Sequence, residues 1–310
     1  CRASRPEPAW NAGRCGVSNG TSIEWTDASW NPVVGCTPVS PGCLNCYAAT
    51  FAARGMHKSY VGLTVRRRDK LRDGEKARTR AVFNGTVRCL PEKLDAPLHW
   101  RKPRRVFVNS MSDLFHEAVP FSFVDEVFAV MFLCPQHTFQ VLTKRPDRMA
   151  EYTSDPGRLS SIAQAVANRA GEASMRTTLP LPNVWLGTSC ENQKCADERL
   201  PHLLRCPAAV RFLSIEPQVD AIEYRDEWAE GLGWMIGGGE SGHGSHPYAV
   251  GWAREGIKFA ARHGIPWFQK QLGAKPVGGS GPIDLADPKG GDMSEWPEDL
   301  RVREFPGGAA

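Results

Sequence analysis

Six short apolar runs, rich in β-branched and aromatic residues, recur along the chain in alternation with amphipathic stretches, and each run leads into a polar cluster. That order, repeated in one direction, confines the chain to parallel strands joined by covering helices. The runs fall at 105–109, 139–143, 183–188, 210–215, 233–237 and 266–269, and a further strand is predicted at 22–25. Helices are predicted over 121–133, after Pro146, and over 159–170, 194–203 and 250–263, where apolar residues recur three or four apart. The fold class expected is α/β, a partial or complete (β/α) TIM-like barrel of about six to seven parallel strands, with an open doubly wound sheet as the alternative. With 310 residues and 41% hydrophobic content the chain has material for a substantial core. The organisation expected is a flexible leader at 1–20, a barrel-like domain at 21–272, and a Gly/Pro-rich extension or lid at 273–310.

Barrel enzymes place their chemistry where strands end, and each run here ends in reactive side chains. Asn109, Ser110 and Asp113 mark the end of the first run, Lys144 and Arg145 the second, Ser189, Cys190, Glu191 and Asn192 the third, Glu216 and Pro217 the fourth, Gly239, Glu240 and Ser241 the fifth, and Lys270 with Gln271 the sixth. A shared active-site mouth is one reading; helix capping by Ser, Asn and Asp is the other. The run Gly237 to Gly242 matches G-x-G-x-x-G in form, but the next helix begins only beyond Pro247, which argues against a nicotinamide site. His243 stands where a serine-hydrolase elbow needs glycine, and there is no Walker sequence.

The most chemical segment is Cys36-Thr-Pro-Val-Ser-Pro-Gly-Cys43-Leu-Asn-Cys46. Three thiols on a Pro- and Gly-rich loop supply soft ligands suited to an iron-sulfur cluster or zinc, and poorly suited to magnesium or calcium. Three protein ligands leave one coordination position open for substrate or cofactor, whereas a structural zinc site takes a fourth, here from a residue such as His57 or His116. Ten cysteines in a chain without a secretory apolar stretch favour metal, redox or packing roles over disulfides, and the expected location is the cytoplasm. No run approaches the roughly 18 apolar residues of a membrane-spanning helix.

Charge is uneven. Between 54 and 105 there are 16 Lys and Arg against 5 Asp and Glu, a local +11 that leaves the remainder at −7. A polyanion, DNA or RNA, is the partner such a basic insertion would take, and a merely solvated surface is the alternative.

The segment Ile23-Glu-Trp-Thr-Asp-Ala-Ser-Trp-Asn-Pro-Val-Val-Gly-Cys36, continuing through Cys46-Tyr-Ala48, resembles the opening of a phage and bacterial three-Cys-motif family of unknown function. The resemblance continues through Val108-Asn-Ser-Met-Ser-Asp-Leu-Phe-His116, Leu142-Thr-Lys-Arg-Pro146, Asn183 to Asn192, Phe212-Leu-Ser-Ile-Glu-Pro217 and Gly237 to Gly242. That family in turn resembles divergent radical S-adenosylmethionine enzymes. The resemblance implies a 4Fe-4S cluster on Cys36, Cys43 and Cys46, S-adenosylmethionine as cofactor, and an external electron donor. It also implies cofactor contacts from Asn109, Ser110, Asp113, Lys144, Arg145, Thr188, Glu191, Glu216, Gly238 and Glu240. Six residues separate the first cysteine pair here where those enzymes have three, and Asn45 replaces their usual aromatic. The implied activity is oxidoreductase or lyase chemistry that modifies or repairs nucleic acid. The other readings are a zinc-binding nucleic-acid-binding protein and a non-catalytic partner subunit.

Overall fold

A computed structural model describes residues 21–68, 79–171, 178–242 and 244–308. The expected leader at 1–20 and residues 69–78 of the basic insertion lie outside the described residues.

The chain opens with β1 (Ala28–Trp30) and β2 (Val33–Val34), followed by the three-Cys loop and α1 (Tyr47–Ala52). The basic insertion supplies β3 (Thr64–Arg68), its antiparallel partner β4 (Thr79–Phe83), and β5 (Arg88–Cys89), which pairs with β2. The repeating part runs through β6 (Arg105–Val108), α2 (Phe121–Leu133), β7 (Thr138–Thr143), α3 (Pro146–Ser154), α4 (Arg158–Ala170), β8 (Val184–Ser189), α5 (Gln193–Arg205) and β9 (Val210–Ile215). It then continues through α6 (Asp226–Ala229), β10 (Trp234–Gly238), β11 (Tyr248–Ala249), α7 (Val250–Arg262) and β12 (Trp267–Gln271). The tail adds β13 (Pro276–Gly278) and β14 (Gly281–Pro282).

Seven strands form one sheet in the order β1-β6-β7-β8-β9-β10-β12, every pair parallel. The order never reverses, so the sheet is not doubly wound; it curls into a half-barrel, a partial TIM-like barrel. The first strand sits later than the sequence suggests. Residues 22–25 form a turn, with the Thr26 amide bonded to the Ile23 carbonyl at 3.3 Å, and the ladder begins where Ala28 registers with Val106. Trp25 leaves the backbone ladder and packs its ring on the sheet's inner face.

Alternation along the strands divides the residues between two cores. Val106, Val108, Phe139, Val141, Val184, Leu186, Leu213, Ile215 and Met235 face outward under the helices, of which α2 buries seven of its thirteen residues. Phe107, Phe212, Trp234, Ile236 and Phe268 face inward with Trp25. The tail runs along the free edge of β12: the Gln269 amide donates to Val302 and the Glu304 amide to Trp267. Phe305 then packs at 5.5 Å from Trp234 and 5.2 Å from Phe268, closing the inner core from below. Among the described residues no helix is long and apolar enough to cross a membrane.

Candidate functional site

Inside the half-barrel the side chains change character with height. The floor is aromatic, with Trp25 and Phe107 at 4.6 Å and Phe212 and Trp234 at 5.6 Å. Gly187 makes this packing possible, since a Cβ there would sit 2.5 Å from the Phe212 ring. Above the floor Ser189 and Ser214 leave space, and at the strand ends the lining turns polar and ionic. The result is a cavity of about 680 Å³, within the size range of small-molecule and cofactor sites. Cys36, Cys43 and Cys46 line it together with Asn109, Ser110, Asp113, Lys144, Arg145, Glu216, Glu240 and Lys270.

One wall is organised by Asp113. It accepts from Thr143 Oγ1 at 2.6 Å, the Lys144 amide at 3.0 Å and Arg145 at 3.2 Å. Arg145 also donates to Glu117 at 2.8 Å and to the Thr37 carbonyl at 3.2 Å, and lies 3.8 Å from Cys36 Sγ. Burial pushes the Cys36 thiol up to about 12, Asp113 adds to the effect, and Arg145 opposes it. Burial raises Cys46 as well. All three cysteines are free thiols. A metal centre is what would draw these half-buried thiols into the thiolate form, with Arg145 as a counter-charge beside Cys36. Among the described residues no three His, Cys, Asp or Glu side chains converge as a closed group around a single ion. His116 Nε2 shares a hydrogen bond with Thr37 Oγ1 at 2.9 Å, while His57 Nδ1 faces Ser59 at 2.7 Å.

Two acids fasten the cysteine loop to the far strands. Glu191, fully buried beyond β8, accepts from the Gly42 amide at 3.0 Å, Lys144 at 3.1 Å and Arg199 at 3.0 Å. Burial alone would raise its carboxyl, but Lys144, Ser40, Arg199 and the Gly42 amide outweigh that and hold it at about 2. Glu240, beyond β10, accepts from Asn45 Nδ2 at 2.9 Å and from the His246 amide at 2.8 Å. The loop thus reaches from the β1 side of the sheet to the ends of β8 and β10. Opposite it, Lys270 donates to Glu216, whose carboxyl burial raises.

A family model described as a protein of unknown function, DUF5131, matches residues 20–286. The chain belongs to that family. No curated protein and no solved structure matches it.

In this DUF5131 protein ten of the thirteen residues singled out from sequence line the cavity; Thr188, Glu191 and Gly238 do not. Thr188 Oγ1 donates to the Thr143 carbonyl at 2.8 Å within the sheet, Gly238 lies at a register shift between β10 and β12, and Glu191 is occupied with the loop. Asn109 is the one non-glycine residue with positive φ, 63°, among those described. Its Oδ1 accepts from the Val33 amide at 3.2 Å, and its buried Nδ2 has no protein partner. Sequence reasoning passed over Asn31, whose Oδ1 takes the Met111 amide at 2.9 Å, and Glu24, whose Oε2 is buried at the cavity without a partner. It also passed over Asn45 as a fastening. Only Asn45 carried a signal, its place beside Cys46 in the motif.

Proposed function

We propose that this protein is an iron-sulfur enzyme of radical S-adenosylmethionine type acting on nucleic acid, with Cys36, Cys43 and Cys46 as cluster ligands. The observation that carries the reading is that the three free thiols open onto the same cavity as the ionic groups at the strand ends. Three soft thiolate donors on one loop are the set that an iron-sulfur cluster would take.

A cluster bound there would supply an electron to a sulfonium cofactor, the electron coming from an external donor. The protein's own residues would do the rest. Arg145 would balance thiolate charge beside Cys36. Lys144, Lys270, Glu216 and Glu240 would orient the carboxylate and ammonium of a zwitterion, and Asn109 Nδ2 would donate to a ligand oxygen. The aromatic floor would keep water from the base of the cavity. The basic insertion supports a polyanionic substrate.

The test is anaerobic reconstitution with iron and sulfide. A brown protein with about four irons and four sulfides per chain, lost in each Cys→Ala variant, is the expected result, followed by release of 5'-deoxyadenosine with dithionite and S-adenosylmethionine. A colourless protein holding one zinc would replace this reading with a structural metal site.

A further inference from the structure

Seven of the nine large hydrophobic side chains exposed among the described residues lie between Val39 and Val65, on the cysteine loop, α1 and the approach to the β3–β4 hairpin. Exposed apolar side chains scattered singly need no explanation, but this concentration beside a cavity does. The same stretch carries only one sign of charge. Residues 36–68 include no Asp or Glu, while Arg54, Lys58, Arg66, Arg67 and Arg68 are all exposed. No carboxylate among the described residues is within ion-pair distance of any of the five. In the hairpin Arg67 stands directly opposite Arg80, whose guanidinium donates to Asn45 Oδ1 at 2.7 Å.

The rings sit where this face meets the cavity. Tyr47 and Phe51, four residues apart on α1, share one side of the helix, are 55% and 38% exposed, and both line the cavity. The Tyr47 hydroxyl donates to the Ser110 carbonyl at 2.7 Å, which fixes its ring at the rim. Arg54 lies 5.9 Å from the centre of the Phe51 ring.

We propose that this face docks single-stranded nucleic acid: phosphates lie along Arg66, Arg67 and Arg68, and unstacked bases rest on Tyr47 and Phe51 at the cavity mouth. Cations alone suit any polyanion, but rings held beside them suit a strand whose bases are free to stack. The rings also front a concave rim, which a flat bilayer does not reach. This rests on the nucleic-acid half of the proposed function and not on its cluster half.

Fluorescence anisotropy on the 310-residue chain tests it, using labelled oligo-dT, oligo-rU, a duplex of equal length, polyglutamate as competitor, and phosphatidylserine vesicles in a sedimentation arm. Single strands should bind more tightly than duplex. The triple variant Arg66→Ala, Arg67→Ala, Arg68→Ala should bind about tenfold more weakly near ~100 mM salt, with a salt slope shallower by about 2, from roughly 0.7 for each phosphate left without its arginine. The double variant Tyr47→Ala, Phe51→Ala should lose about tenfold in affinity with the slope unchanged, because stacking releases no counterions. Circular dichroism checks that both variants fold. Equal binding by wild type and triple variant, a preference for duplex or vesicles, displacement by polyglutamate as effective as by strand, or no binding would each overturn the proposal. Iron measured in the same samples keeps the two readings apart: strand binding without iron leaves this inference standing, and iron without strand binding removes it alone.

Discussion

Glu191 shows how a charge that looks like a ligand contact in sequence can be a structural rivet. Its ionised form is favoured more strongly in the folded chain than in the unfolded one, so its contribution is present above the ordinary carboxyl value of 4.5 and is lost as pH falls from there toward about 2. That window corresponds to about 3 kcal/mol. Glu191→Gln should therefore lower the urea midpoint at pH 7 and flatten the acid dependence of stability between those limits; an unchanged acid profile would contradict the assignment. Asn109 makes a second, separable case. Asn109→Ala puts a residue less tolerant of positive φ than Asn at this position and strips the Val33 amide of its acceptor, a loss of about 2 kcal/mol, whereas Asn109→Gly also removes the acceptor but relieves the strain and should cost less. The order of the two in urea titrations checks it. The chemical kind of these residues was legible in sequence, but burial and partners were not. Glu191 and Glu216 follow neighbouring runs with similar surroundings, and only the fold points one at the loop and the other into the cavity.

Among the elements, the cysteine loop depends on strands far from it in sequence. It has no side-chain cap of its own at its short 3-10 turn, so Glu191 and Glu240 hold it in place from β8 and β10. Removing the second fastening with Glu240→Ala should cost about 1–2 kcal/mol and accelerate amide exchange across residues 36–46, with the sheet amides unaffected; exchange as slow as in the wild type would show the loop to be held otherwise. The strands β6 to β10 and β12, with α2 to α5 and α7, were legible because apolar periodicity and strand length agreed there, whereas the short α6 and β11 carried no such pattern. The misplaced first strand has a physical reason. Ser22 to Trp25 has the composition of a strand, yet Thr26 turns its hydroxyl to the Arg105 carbonyl at 3.0 Å, and the shorter segment Ala28–Trp30 takes the edge.

For the molecule as a whole, an open sheet leaves its inner core exposed at the base, and the C-terminal tail covers it. Arg105 lies 4.0 Å over the Phe305 ring, joining the tail to β6 across the gap between the sheet's edges. Phe305→Ala should destabilise the protein by about 2 kcal/mol, less than a fully buried ring because Phe305 is only half-buried; a urea midpoint that does not move would detach the tail from the barrel's stability. Sequence left this open because the tail's packing depends on an edge that exists only after the sheet has curled. The indoles of that inner core carry a last consequence. Trp25 borders the cavity and touches Trp234, which touches Trp185, so light absorbed by one is shared among them. A dark, iron-bearing occupant overhead would dim their glow, a colourless zinc ion would leave it bright, and an emission spectrum taken during loading tells the two apart.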